Sequence, residues 1–197
     1  MNPVISYNDF LNFMRCSLNN QNKLIPVILI KPSTVLYLNS EYHLDHIFDY
    51  FDRRTGKDIQ FFLPGYSHYP STSFSEILPN VRPYNKKAIA LRVNRLNEIY
   101  YSDNDFVSFI ELLEENVPSF RYYGHTELLF IKYISSTEDN LGRLDFNKFY
   151  RFNLSQIYYS NNHGYRDIEI ILEEVLHLIR EIKDEDELIK RIKSIFD

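Results

Sequence analysis

Apolar positions along the chain recur in two periods, and the switching between them predicts interleaved helices and strands. An opening helix starts at Ser6, whose spacing to Asp9 makes a capping box, and presents Phe10, Phe13, Met14 and Leu18 on one side. The run "LIPVILIK" over 24–31 is continuously apolar, the pattern of a strand buried on both faces, although Pro26 cannot donate to a ladder and weighs against a central place. After a short extended piece, "TVLYL", Ser40 caps a helix to about Arg54 with a stripe of Leu44, Ile47, Phe48 and Phe51. Thr55-Gly56 ends it, and a strand over 58–63 delivers the chain to Pro64-Gly65.

Residues 64–86 contain four prolines and many hydroxyls, a connection of the length that often serves as a lid or binding segment. Extended segments follow at 88–93 and 96–101. The Ser102 to Asp105 region then caps a helix bearing Phe106, Phe109, Ile110 and Leu113. Strands are predicted at 126–133 and at 150–157, where Tyr150, Phe152 and Leu154 alternate with Asn153 and Ser155 and leave one face wet. From Asp167 the positions Ile168, Ile171, Leu172, Val175, Leu178, Ile179 and Ile182 repeat at helical spacing. "KDEDE" interrupts them, and Leu188, Ile192 and Ile195 resume the stripe, as two helices or one kinked helix. This order implies an α/β fold: one domain over 1–197, a sandwich with a mixed or mostly parallel sheet flanked by helices. Residues 164–197 form a C-terminal helical segment that packs on the sheet or on a partner.

Composition narrows the class. Hydrophobic residues at 44% and charged ones at 25% are those of a globular chain, so general disorder is excluded. The 16 Tyr and 15 Phe come with 21 Ile and 18 Asn, all types with A/T-rich codons, so the aromatic excess reads first as coding bias and only second as a binding surface. A net charge of −5 with no long basic run disfavours nucleic acid as a partner. Arg82, Lys86, Lys87, Arg92 and Arg95 do fall in one short region, where a solvated loop or hairpin is the simpler reading. A single cysteine, Cys16, allows no intrachain disulfide and points to a reduced, cytoplasmic setting. The N-terminal stretch shows no export signal and the apolar runs are too short for a bilayer, so no membrane association is expected.

Two segments concentrate candidate chemistry. In "PGYSHYP", Pro64 and Gly65 suit the central positions of a type II turn, and Tyr66, Ser67 and His68 emerge at the end of a strand, where open α/β sheets take ligands. Ser67 and His68 are adjacent and point apart, so they do not form a nucleophile–base pair, and there is no G-x-S-x-G elbow. In "RYYGHTELL", Gly124 precedes His125, Thr126 and Glu127 at the head of a strand, and an imidazole near a carboxylate can act as acid and base. The same letters suit a β-bulge at Gly124 with Glu127 facing solvent. On the helix over 40–54, His46, Asp49 and Arg53 share one face, but two candidate ligands at that spacing fall short of a metal site, and ion pairing on a solvated face accounts for them.

No Walker loop, G-x-G-x-x-G, H-E-x-x-H, paired C-x-x-C or EF-hand loop occurs, and no cofactor or metal is implied. The resulting expectation is a protein that binds a small polar or nucleotide-like ligand in a Tyr/His-rich cleft, with hydrolysis of that ligand left open. Glu127, His125 and His68 are its catalytic candidates, and Tyr66, Ser67, Arg121 and Tyr123 its ligand contacts. The competing expectation is a noncatalytic interaction or sensor subunit of a larger bacterial assembly, self-associating or docking through the C-terminal helices.

Overall fold

The computed structural model describes residues 2–4, 10, 11, 14, 23–30, 61–67, 88–92, 98–135, 142–155 and 168–197. Eight strands and three helices fall within them: β1 (Asn2–Val4), β2 (Lys23–Leu29), β3 (Phe62–Pro64), β4 (Tyr66–Ser67), β5 (Ala88–Arg92), β6 (Glu98–Ser102), α1 (Asp103–Asn116), β7 (Glu127–Ile134), β8 (Arg143–Asn153), α2 (Ile168–Glu181) and α3 (Glu185–Phe196). The helix predicted over 40–54, with its His46, Asp49 and Arg53 face, lies outside the described residues. So does most of the 64–86 connection, His68 included.

A five-stranded sheet runs in the order β1-β3-β2-β7-β8, and a three-stranded one in the order β4-β6-β5. The larger sheet is mixed: β1 and β2 both pair with β3 in parallel, while β2–β7 and β7–β8 are antiparallel. Strand β2 therefore lies in the middle, against the expectation from Pro26. It pairs with β7 from Lys23 to Leu29, but its described register with β3 is Val27↔Phe62 alone, so the proline precedes the parallel ladder.

The strand predicted from Tyr150 begins earlier, at Arg143. Ile131 pairs with Phe149 but Lys132 with Asp145, so residues 146–148 of β8 bulge and the period-2 alternation is broken there.

Local signals set the helix ends. The Ser102 hydroxyl accepts the Asp105 N–H at 3.3 Å, and the chain leaves the helical region at Val117 (φ −119, ψ 94), the residue before Pro118. Between these ends Phe106, Phe109, Ile110 and Leu113 are buried. At the other interruption, "KDEDE" starts a new helix: the Asp184 carboxylate accepts the Glu187 N–H at 2.8 Å, and three acidic residues fill the first turn.

One core cluster takes in residues from β2, β3, α1, β7, β8 and both C-terminal helices. Phe10, from a helical stretch, meets Phe62 edge-on at 4.7 Å and Phe109 at 6.5 Å, joining β3 to α1. On one face of the large sheet, Phe152 contacts Phe130 at 6.1 Å and Phe196 of α3 at 4.8 Å, and Lys132 pairs with Glu185. In α2 and α3, Ile171, Leu172, Val175, Leu176, Leu188, Ile189 and Ile192 are buried in this same core.

Gly65 carries the chain from the large sheet into the small one. Its φ of +79 is the left-handed value that a type II turn needs after Pro64, and its carbonyl accepts the Ser102 N–H at 2.8 Å. Tyr66, fully buried beyond it, donates its hydroxyl to the Ile30 carbonyl at 2.8 Å and so ties the turn to the end of β2. Gly65→Ala is expected to lower unfolding free energy by about 1–2 kcal/mol through backbone strain, and Tyr66→Phe by about 1 kcal/mol through the lost hydrogen bond. Urea denaturation of the two variants checks both values.

Candidate functional site

The topology gathers several strand ends at one edge of the large sheet. Strands β2 and β3 finish there, β7 begins there, and β8 returns to it, because β2 and β8 run antiparallel to β7. The Pro64-Gly65 turn and the 121–127 segment, singled out separately in the sequence, thus lie at the same edge. The link between them is Ile30, which holds Tyr66 and follows Leu29, the register partner of Glu127.

Glu127 does not face solvent; it is fully buried. In register it sits between Leu29 and Asn153, and Leu129, two residues on, sits between Val27 and Arg151. Cross-strand partners share a face, so Arg151 lies diagonal to Glu127 and Asn153 opposite it, on a face otherwise made apolar by Val27, Leu29 and Leu129. Arg151 Nη2 donates to Glu127 Oε1 at 2.5 Å. The guanidinium in turn lies 5.0 Å from the centre of the Phe120 ring, and that ring meets Phe149 edge-on at 5.5 Å. Arg151 keeps 29% of its side chain exposed, so the pair joins a buried carboxylate to a cation that reaches water.

The second carboxylate oxygen, Oε2, has no hydrogen-bond partner among the described residues, and neither does the buried Thr126 hydroxyl. Burial pushes the Glu127 carboxyl above its ordinary value; the Arg151 hydrogen bond and charge, with the charge of His125, offset only part of the rise. Tyr122, whose ring meets Phe106 at 5.5 Å, has its phenol held well above the usual tyrosine range, first by burial and then by the Glu127 charge. The phenol therefore stays protonated as a donor, while Glu127 is an acceptor with more than ordinary affinity for a proton.

The segment leading to Glu127 is held at both ends. Phe120 N–H donates to Val117 O at 2.8 Å and Tyr122 N–H to the Glu114 carboxylate at 2.9 Å. Thr126 N–H donates to the Ser155 hydroxyl at 2.9 Å, and Thr126 O accepts from Leu154 N–H. Between the anchors, Arg121, Tyr123 and His125 are exposed, and Gly124 takes a φ of +86.

Of the residues expected at a site, Glu127, His125, Arg121 and Tyr123 belong to this one segment. Tyr66 is buried at the neighbouring strand end with its hydroxyl on Ile30, and Ser67 lies in β4, paired in register with Tyr100. Arg151, Tyr122 and Phe120 were not anticipated. The signal for Arg151 was a lone cation inside the aromatic alternation "FYRFN", one strand on from a lone carboxylate inside "TELLFIKY". A buried carboxylate calls for a cation within reach.

Among the described residues, no group of three His, Cys, Asp or Glu side chains could hold a metal ion, and no helix is long and apolar enough to cross a membrane. No protein-family model matches the chain, and no curated protein or solved structure does either.

Removing Arg151 leaves a buried carboxylate unpaired. Arg151→Met should therefore destabilise the fold by about 3 kcal/mol, the low end for a broken buried pair because Arg151 reaches solvent, and Glu127→Leu with Arg151→Met should recover most of the loss. Denaturant unfolding of the single and double variants measures both.

The raised carboxyl also has a signed effect on stability. Between the unfolded value near 4.5 and the higher folded value, the folded chain binds more protons than the unfolded one, so stability falls as pH rises through that window. The unfolding free energy of wild type minus that of Glu127→Gln should decline as pH is raised from below 4.5, then level off above the folded value.

Proposed function

We propose that the chain binds a small polar or nucleotide-like ligand at this sheet edge, with Glu127 as the group that accepts a ligand's hydrogen bond or proton. One observation carries the reading: a fully buried carboxylate, oriented by Arg151, keeps an oxygen without a partner among the described residues. An acceptor in that state is costly to the fold and favourable to any donor that reaches it. Arg121, Tyr123 and His125 stand exposed on the segment leading to it, where they would meet a ligand arriving from solvent. Hydrolysis is the chemistry these groups allow, with Glu127 taking a proton from water and His125 returning one to the leaving group.

The reading includes a single α/β domain, a sheet covered by Phe120 on one face and Phe196 on the other, working in a reduced cytoplasm as the lone Cys16 suggests. The alternative is a noncatalytic subunit that self-associates through its C-terminal helices; Ile171, Leu172, Val175, Leu188 and Ile192 of their stripe are buried in the chain's own core, while Leu178, Ile179, Ile182 and Ile195 are only partly buried.

A thermal-shift panel of nucleotides, nucleosides, sugar phosphates and amino acids tests the proposal, because a ligand that prefers the folded state at about 100 times its Kd adds about 2.7 kcal/mol of stability. At least one compound should raise the melting temperature of wild type and fail to raise that of Glu127→Gln from its own baseline. No shift with any compound would reduce the Glu127–Arg151 pair to an internal brace.

A further inference from the structure

Single exposed apolar side chains are ordinary on protein surfaces. Tyr123 differs in how it is held. It is 73% exposed, against 42% for Val107 and 49% for Ile170, the other exposed large hydrophobic side chains among the described residues. It sits on a short segment whose backbone is hydrogen-bonded on either side of it, at Tyr122 to Glu114 and at Thr126 to Ser155. Exposed Arg121 and His125 stand two residues to either side of it. The Gly124 turn between Tyr123 and His125 is open, with no atom within 4 Å of where a Cβ would be.

An outward ring between two basic groups, in a chain of net charge −5, matches a ligand that is flat and aromatic at one end and anionic at the other. We propose that residues 121–125 recognise a nucleoside phosphate, with the base stacked on Tyr123 and the phosphate held by Arg121 and His125. The inference rests on the ligand-binding reading above and deepens it by naming the ligand's class. A guanidinium fork suits phosphate oxygens, and aromatic rings stack bases without regard to sequence. Acidic α1 adjoins the segment, with Glu114 on the Tyr122 amide, a neighbourhood that disfavours a polyanion track.

Calorimetric titration of the full chain with AMP and GMP, and with adenosine and inorganic phosphate as the separate halves, tests it. A nucleotide should bind, with each half at least about tenfold weaker. Tyr123→Ala should lose about tenfold in affinity, Tyr123→Phe should retain it, and Arg121→Ala should lose a similar factor, all with unchanged melting temperatures. Absence of nucleotide binding at millimolar concentration, or equal binding by Tyr123→Ala, overturns the inference. So does much tighter binding of a single-stranded oligonucleotide that fades steeply with salt. A Glu127-dependent ligand of another class would leave the broader binding role standing while this assignment falls. Nucleotide binding lost in Tyr123→Ala but unchanged in Glu127→Gln would do the reverse.

Discussion

A carboxylate cannot lie fully buried on an apolar sheet face unless something neutralises it, and at Glu127 that something is Arg151. Much of the local architecture follows from this requirement. Strand β8 must pair with β7 in the register that sets Arg151 opposite Leu129, diagonal to Glu127. Phe120 must come down over the guanidinium, which fixes where the chain goes after α1, and Phe149 must flank Phe120. The neutralisation is incomplete, because one carboxylate oxygen lacks a partner among the described residues and burial still outweighs the attraction of Arg151. A leucine there would carry no such cost.

The surrounding geometry converts that local constraint into a feature of the whole sheet edge. Gly65 turns the chain from the five-stranded sheet into the three-stranded one, and Tyr66 fastens the turn to the carbonyl at the end of β2. Ser102, at the end of β6, both caps α1 and donates its amide to Gly65. Helix α1 then delivers the chain through Val117 and Phe120 to the segment before Glu127. Thus the small sheet, α1 and the start of β7 are tied in sequence to one edge, and the exposed side chains of residues 121–125 project from backbone held at both ends.

Features governed by neighbours in sequence were legible in advance. The four buried positions of α1, its serine cap, the Pro64-Gly65 turn and the interruption of the helical stripe at "KDEDE" all depend on residues within a few positions of one another. What was not legible depends on pairing across distance. Pro26 argued against a central strand because its tolerance depends on where the ladder to β3 begins, which only the register reveals. The first half of β8 was missed because a bulge over residues 146–148 disrupts alternation. Glu127 stands out in the sequence as a candidate, but its burial, and the partner 24 positions along the chain, follow from the β7–β8 register rather than from the letters around Gly124.

The most direct test of the account is a carbon-detected NMR titration of the side-chain carboxyl of Glu127 in the folded protein, assigned by comparison with Glu127→Gln. The account predicts a midpoint above the ordinary 4.5, moving higher still when Arg151 is replaced by methionine. A midpoint below 4.5 would show that Arg151 outweighs burial, and one at 4.5 and indifferent to Arg151 would show a solvated carboxylate and contradict the buried pair on which the reading of this edge depends.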